Sequence, residues 1–129
     1  MFFVRSRFLW LLSMSLLVAL PAAAQQPTLL LWPNGNPEAS KVVGPEIDPT
    51  KASERIVSGE PVIRVTNVSK PSLIVYAPPP AKNTGAAALV LPGGSYIRLS
   101  YNVEGTEVCD WLNSIGMTCI LVKYRVPED

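Results

Sequence analysis

The chain has 129 residues, of which 48% are hydrophobic and 16% are charged, and its formal net charge is +1. Because the charges nearly balance, the chain has no basic surface for nucleic acid and no polybasic patch for anionic lipid. We therefore expect neither partner. The sequence contains no histidine, which removes the commonest general base and the commonest transition-metal ligand. Its two cysteines are too few for a four-ligand zinc site, so we expect no metal and no cofactor.

Residues 1–24 have the pattern of a secretory signal peptide. Arg5 and Arg7 precede an apolar run, residues 8–20, which ends at a proline and small residues. Cleavage after Ala24 leaves a mature chain that begins at Gln25 and carries nine basic and ten acidic residues, a net charge of −1. The apolar run is too short to favour a spanning helix, and an uncleaved anchor is the alternative. We therefore expect a secreted or periplasmic protein with no stable membrane anchor after cleavage.

Residues 25–60 are predicted to form an N-terminal arm laid over the surface. Residues 28–32 are a short apolar run that favours a brief strand, and a turn-rich loop, 33–37, follows. The polar stretch 38–60 has no sustained period, so a short turn near Ser53 is the one element expected there.

Three segments after the arm have strand patterns. Residues 62–68 alternate apolar and polar side chains, residues 72–76 read SLIVY, and the short polar connection between them predicts an antiparallel hairpin. Residues 87–91 form a continuous apolar run bounded by Gly85 and Pro92, which predicts a strand buried on both faces.

An amphipathic helix is predicted over residues 102–114. Its apolar side chains recur at spacings of three and four, namely Val108, Trp111, Leu112 and Ile115. Gly116 supplies the stop, and a mostly apolar strand, 118–124, follows. Together with the strand at 87–91, this helix and strand predict a βαβ unit.

Cys109 and Cys119 are the two cysteines. Export permits a disulfide between them. Both lie in apolar patterns, however, and unpaired cysteines are among the most buried residues, which favours two buried free thiols.

Gly93 and Gly94 follow the apolar run and begin the connection to the helix. Without a Cβ, they allow a sharp turn and the close approach of a ligand. Backbone N–H groups in such a turn can point at a developing negative charge, as in an oxyanion hole. The alternative, which the dipeptide alone favours, is an ordinary tight turn. Glu104 is interpreted as a residue that stabilises the helix start or binds loop amides, not as a catalytic acid.

Several short motifs are spread over the mature chain: Leu31-Trp32-Pro33 with Gly35 and Pro37, Val65-Thr66-Asn67-Val68 with Pro71, Leu91-Pro92-Gly93-Gly94-Ser95-Tyr96, Glu104-Gly105, Trp111-Leu112-Asn113, and Lys123-Tyr124-Arg125. Their wording and order resemble the α/β-hydrolase fold, in particular bacterial exported carbohydrate esterases of the acetyl-xylan and feruloyl esterase type. The resemblance implies an α/β fold in which residues 61–129 form the N-terminal part of a hydrolase sheet, an antiparallel hairpin followed by the βαβ unit, incomplete.

The resemblance also assigns roles at the glycine turn. Gly94 and Ser95 would supply oxyanion-hole amides. Ser95 stands where the family usually has glycine, so its Cβ alters the turn or its hydroxyl adds a donor. We expect Gly93, Tyr96 and Tyr101 to contact the substrate, with packing as the alternative role for both tyrosines.

The family's nucleophile, acid and histidine are not found in this chain. We therefore expect a fragment of an exported serine esterase, a carboxylic ester hydrolase that acts on acylated carbohydrate or another small ester, and we expect the 129-residue chain alone to be inactive. The alternative is a non-catalytic exported binding or structural module. Against that alternative, the strand at 118–124 would be left as an unpaired apolar edge.

Overall fold

A computed structural model of the chain describes residues 26–38, 41, 44–57 and 59–127. The predicted signal peptide, residues 1–24 with cleavage after Ala24, lies outside them and stays a prediction. The described residues form eight strands and one α-helix: β1 (Thr28–Leu30), β2 (Ile56–Val57), β3 (Glu60–Pro61), β4 (Arg64–Val65), β5 (Ser72–Tyr76), β6 (Ala87–Val90), β7 (Leu99–Ser100), α1 (Glu107–Ser114) and β8 (Thr118–Lys123).

The main sheet has four strands in the order β1-β5-β8-β6. β5 runs antiparallel to β1 and β8, whereas β6 runs parallel to β8. α1 connects β6 to β8 and packs against β8 and β5, so the predicted βαβ unit is confirmed. Because β8 is paired on both sides, the expectation that residues 118–124 form an unpaired edge is wrong. The result is a mixed α/β arrangement.

One face of the main sheet is buried under α1. The residues at the centre of this contact, which we call the helix-side core, are Ile74, Cys109, Leu112, Cys119 and Leu121. Cys109 and Cys119 form a disulfide with a Cα–Cα distance of 5.1 Å, so the expectation of two free thiols is wrong. The helix folds back onto the strand that follows it, and this brings the two cysteines within bonding distance.

The helix occupies the predicted residues 102–114, as a π-helical turn, Asn102–Thr106, followed by α1. The predicted apolar face is buried only in part: Leu112 lies in the helix-side core, whereas Trp111 is 61% exposed. A π-helical turn holds more residues than an α-helical one, so it shifts which side chains face the sheet. Gly105, a residue that hydrophobic spacing does not mark, is buried against the sheet as a result.

The predicted hairpin between residues 62–68 and 72–76 is not formed. β4 contains only two residues and pairs antiparallel with β7. β5 matches the predicted residues 72–76, but β1 and β8 occupy its two hydrogen-bonding edges. No edge is left for β4, and Asn67, with a φ of 61°, turns the chain between the two strands.

β6 is not buried on both faces, contrary to the prediction. It lies at the edge of the sheet and alternates its side chains between two environments. Ala88 and Val90 pack against the helix-side core, whereas Leu89 and Leu91 are each 62% exposed. Among the described residues, α1 is the single α-helix, and it covers the other face.

The N-terminal arm matches its prediction at two points. β1 forms within the apolar run 28–32, and a 3₁₀ turn, Ala52–Glu54, lies at the predicted turn near Ser53. The short β2–β3 pair was not expected. An ion pair of 2.7 Å between Lys123 Nζ and Glu46 Oε2 ties the arm to the end of β8.

Candidate functional site

The connection that follows β6 makes a tight turn at residues Gly93–Tyr96. Three consecutive residues have positive φ angles: 144° at Gly94, 59° at Ser95 and 61° at Tyr96. The amide of Ile97 donates to the Gly94 carbonyl at 3.2 Å and closes the turn. The hydrogen-bonded turn is therefore Gly94–Ile97, and positive φ at its two central residues, Ser95 and Tyr96, is the signature of a type I′ turn. The turn lies beyond the carboxyl ends of the parallel strands, which is the edge where ligands bind in open α/β sheets.

Glycine is required at Gly94, where a Cβ would meet backbone, whereas at Gly93 a Cβ would meet only the end of a flexible side chain. A Cβ on Gly93 would lie 2.5 Å from Glu104 Oε2, and a Cβ on Gly94 would collide with the Arg98 carbonyl. The chain folds back immediately, because the Ser100 amide donates to the Gly93 carbonyl at 2.8 Å. The close approach predicted from the glycine pair is therefore made, in the described structure, by the protein's own atoms.

Ser95 and Tyr96 adopt left-handed backbone conformations without being glycine. Such a residue costs about 1–3 kcal/mol, and residues of this kind cluster at active sites and ligand clamps. The strain marks the turn as a candidate functional site on grounds independent of sequence motifs.

The backbone amides of the turn differ in their partners. The Gly93 amide donates to Glu104 Oε2 at 2.8 Å. Within the described part of the chain, no group accepts a hydrogen bond from the amide of Gly94 or Ser95. Their assignment as oxyanion donors stays a prediction, and the turn leaves both N–H groups available for it. The Gly93 amide, by contrast, is already occupied.

Glu104 holds the turn from the first residues of the helix. Its carboxylate accepts from the Gly93 amide, which is the loop-amide role that sequence analysis favoured for it. An ionised carboxylate makes a stronger acceptor than a neutral group, so this contact fixes the beginning of the turn against the helix.

Tyr124 is a site residue that sequence reasoning missed. Its hydroxyl donates to the carbonyl of the buried Pro92 at 2.5 Å. Burial, and the neighbouring Tyr96 and Glu104, raise the pKa of Tyr124, so the hydroxyl keeps its proton and remains a donor. The available signal was positional: Tyr124 follows β8 directly, and the carboxyl ends of two neighbouring parallel strands meet at one sheet edge.

Tyr96 and Tyr101 lie in different environments. Tyr96 is 75% exposed on the turn itself. Tyr101 packs against the helix-side core, and burial together with the adjacent Tyr76 raises the pKa of Tyr101 to about 12. Tyr101 thus packs against the core, while contact of Tyr96 or Tyr101 with a substrate stays a prediction.

Among the residues that the structure describes, no three His, Cys, Asp or Glu side chains are grouped so as to hold a metal ion. A search of the same residues finds no helix with the length and apolar character needed to cross a membrane.

No family model and no solved structure matches the chain. The chain is similar to an acetylxylan esterase of Xylanibacter ruminicola, with 42% identity over 49 residues. The aligned segment is 38% of this chain and 10% of that esterase, so the chain spans about a tenth of the length of this relative. The match supports, in part, a relationship to carbohydrate esterases and hence to carboxylic ester hydrolases.

Proposed function

We propose that this chain is the N-terminal part of an exported serine esterase with an α/β-hydrolase fold, which hydrolyses acyl esters of carbohydrate. The observation that carries the proposal is the strained turn at Gly93–Tyr96, where the amides of Gly94 and Ser95 have no described partner. The partial likeness to an acetylxylan esterase supports the substrate class.

In the proposed reaction, the turn stabilises charge and performs no proton transfer. When a nucleophile attacks the ester carbonyl, the carbonyl oxygen becomes an oxyanion, and the Gly94 and Ser95 amides donate hydrogen bonds to it. Glu104 and Tyr124 hold the two preceding residues, so the amides need no reorganisation during the reaction.

The nucleophile, acid and base are expected outside these 129 residues. A serine nucleophile needs a neighbouring base, and the sequence contains no histidine. In the proposed whole enzyme, a distant serine would attack, and the amide of the residue after it would complete the oxyanion hole.

Export is part of the proposal. Disulfides persist in oxidising compartments, so the bond between Cys109 and Cys119 supports a secreted or periplasmic location. Mass spectrometry of the protein recovered outside the cytoplasm should find a chain that begins at Gln25. An intact N-terminus on the exported protein would contradict cleavage after Ala24.

The first experiment measures esterase activity of the isolated chain. We expect no hydrolysis of p-nitrophenyl acetate above that of a blank protein, because an unactivated serine is a poor nucleophile. Turnover that a serine-directed phosphonate abolishes would show that the chain carries its own nucleophile and would overturn the proposed division of roles.

The decisive experiment changes the turn within the longer esterase that the proposal implies. Gly94→Ala forces a Cβ against the Arg98 carbonyl and displaces the amides. We expect kcat to fall by about 100- to 1000-fold, the usual effect of losing one oxyanion donor. Gly85→Ala is the matched control, because Gly85 also has a positive φ but has open space around it. An equal loss of kcat in both variants would contradict the proposal.

A non-catalytic exported module is the second candidate. The pairing of β8 on both edges removes the objection that a module would leave this strand as an unpaired edge. A self-sufficient module should melt in one sharp transition, whereas a fragment of a larger fold should unfold with poor cooperativity. Thermal unfolding followed by circular dichroism separates the two.

A further inference from the structure

A second candidate site is a groove beside β1, on the opposite side of the main sheet from β6. This groove, of about 360 Å³, separates the arm loop after β1 from the loop before β5. Trp32, Pro33 and Asn36 line one wall, and Ser69 and Lys70 line the other.

The two walls are held together by the chain itself. The Asn36 side-chain amide donates to the Ser69 carbonyl at 3.2 Å, and the Leu31 amide donates to the Pro71 carbonyl at 3.0 Å. The Gly35 amide closes a turn on the Trp32 carbonyl at 3.2 Å, which fixes the backbone that carries the indole. The groove is therefore formed before any ligand arrives, and this lowers the entropic cost of binding.

The lining combines one aromatic side chain with several polar groups. Trp32 is 39% exposed. The Lys70 ammonium, the Ser69 hydroxyl and the Asn36 side-chain oxygen take part in none of the hydrogen bonds or ion pairs of the described residues. A sugar ring has an apolar face that suits an indole, and hydroxyl groups that both donate and accept. No carboxylate lines the groove, so nothing there selects a cation.

The groove and the glycine turn share one edge of the sheet. Leu30 pairs with Ser72, which pairs with Lys123, and Lys123 lies two residues beyond Leu121, the partner of Val90. Continuing that register places Leu30 level with Pro92, the residue before the turn. Three strand spacings, about 14 Å in total, separate β1 from β6. Such a separation suits a chain of sugar rings and exceeds the reach of one small ester.

We propose that this groove binds a sugar ring of a neutral polysaccharide, at a distance from the ring whose ester lies at the glycine turn. The proposal rests on the esterase function proposed above and specifies its substrate as a polymer. Trp32 stacks on the ring, and Asn36, Ser69 and Lys70 hydrogen-bond its hydroxyls.

The test titrates xylohexaose into the full ¹⁵N-labelled chain and follows the indole and side-chain amide signals by NMR. We expect shifts at the Trp32 indole and the Asn36 amide. Trp32→Ala should weaken binding by about tenfold, the loss expected for one aromatic stacking contact. Trp111→Ala is the matched control, since Trp111 is exposed on α1, and it should change the dissociation constant by less than about twofold.

Lys70→Ala provides a second variant that keeps the indole, and it should weaken binding by about fivefold through the loss of one hydrogen bond. No binding at saturating xylohexaose, equal binding by Trp32→Ala, or shifts confined to Trp111 would each overturn the proposal. Tighter binding of a proline-rich peptide than of the sugar would also overturn it, because that peptide class binds aromatic grooves as well.

Xylohexaose carries no ester, so this measurement does not depend on the oxyanion turn. Binding of the sugar at Trp32, together with an esterase activity of the longer enzyme that Gly94→Ala does not change, would retain the sugar site and reject the esterase mechanism. Loss of esterase activity in Gly94→Ala without binding at Trp32 would retain the esterase and reject the groove.

Discussion

Val90 and Gly94 are four residues apart in the chain, yet they belong to regions held together in opposite ways. Val90 packs into the helix-side core, where apolar side chains are buried between regular elements and a disulfide joins helix to strand. Gly94 lies in a turn of three positive φ angles, beside the exposed Tyr96. The contrast teaches that the core supplies stability, and that this stability offsets the cost of the strained backbone at the turn.

The largest expected effect comes from opening the helix-side core. Leu121 is fully buried at the centre of β8 and lies against Gly105, so Leu121→Ala leaves a cavity under the helix. We expect the free energy of unfolding to fall by about 3–5 kcal/mol. Leu89→Ala, on the exposed face of β6, should cost less than about 1 kcal/mol. Chemical denaturation measures both, and similar losses would show that the uncovered face is also buried in solution.

Removing the disulfide tests the same core by another route. The bond closes a loop with a sequence separation of 10 residues, for which chain entropy predicts a loss of about 3 kcal/mol. The double variant Cys109→Ala with Cys119→Ala should show that loss in denaturant titrations. Reducing agent should lower the melting temperature of the native chain and leave that of the double variant unchanged. A native chain insensitive to reductant after complete reduction would contradict a stabilising role for the bond.

A smaller effect is expected at alkaline pH, where the core meets the helix start. Burial beside Tyr76 raises the pKa of Tyr101 from 10.0 to about 12, so the unfolded chain loses this proton at lower pH than the folded chain. The stability due to the neutral hydroxyl is therefore complete below pH 10 and is lost as the pH rises through about 12. Tyr101→Phe should lose less stability than the native chain over that interval, as measured by denaturant titration at each pH. Equal slopes would contradict the burial of Tyr101.

The smallest expected effect is at the turn. Glu104→Ala removes the acceptor of the Gly93 amide and should cost about 0.5–1.5 kcal/mol, because the contact is exposed to solvent. Hydrogen exchange at the Gly93 amide should accelerate, while exchange in β8 should not change. Glu104→Gln keeps an acceptor oxygen, so its loss of stability and its exchange rate at Gly93 should lie between those of the native chain and Glu104→Ala. Unchanged exchange at Gly93 in Glu104→Ala would show that the carboxylate does not hold the turn.

Local sequence patterns predicted the position of those elements that depend mainly on their own residues. The run SLIVY became β5 and residues 102–114 became helical, because apolar periodicity and a glycine stop act over a few positions. The glycine pair likewise marked the turn, since a Cβ at Gly94 would meet the backbone four residues ahead.

Pairing and orientation depended on competition between distant segments, which no local pattern contains. β5 has two edges, and β1 and β8 occupied both, so the expected hairpin partner paired with β7 instead. The π-helical turn determined which helix face is buried, and the fold of the helix onto β8 brought Cys109 to Cys119. The contacts of Glu104 and Tyr124 with the turn span 11 and 32 residues.

The sequence by itself therefore determined where β1, β5, β6, β8, the helix and the turn occur, because dihedral preference and hydrophobic spacing act between near neighbours. Only the tertiary structure decided which edges pair, whether the two cysteines bond and which side chains hold the turn. Those outcomes depend on the relative free energies of contacts between distant segments, because each contact excludes another at the same edge or surface.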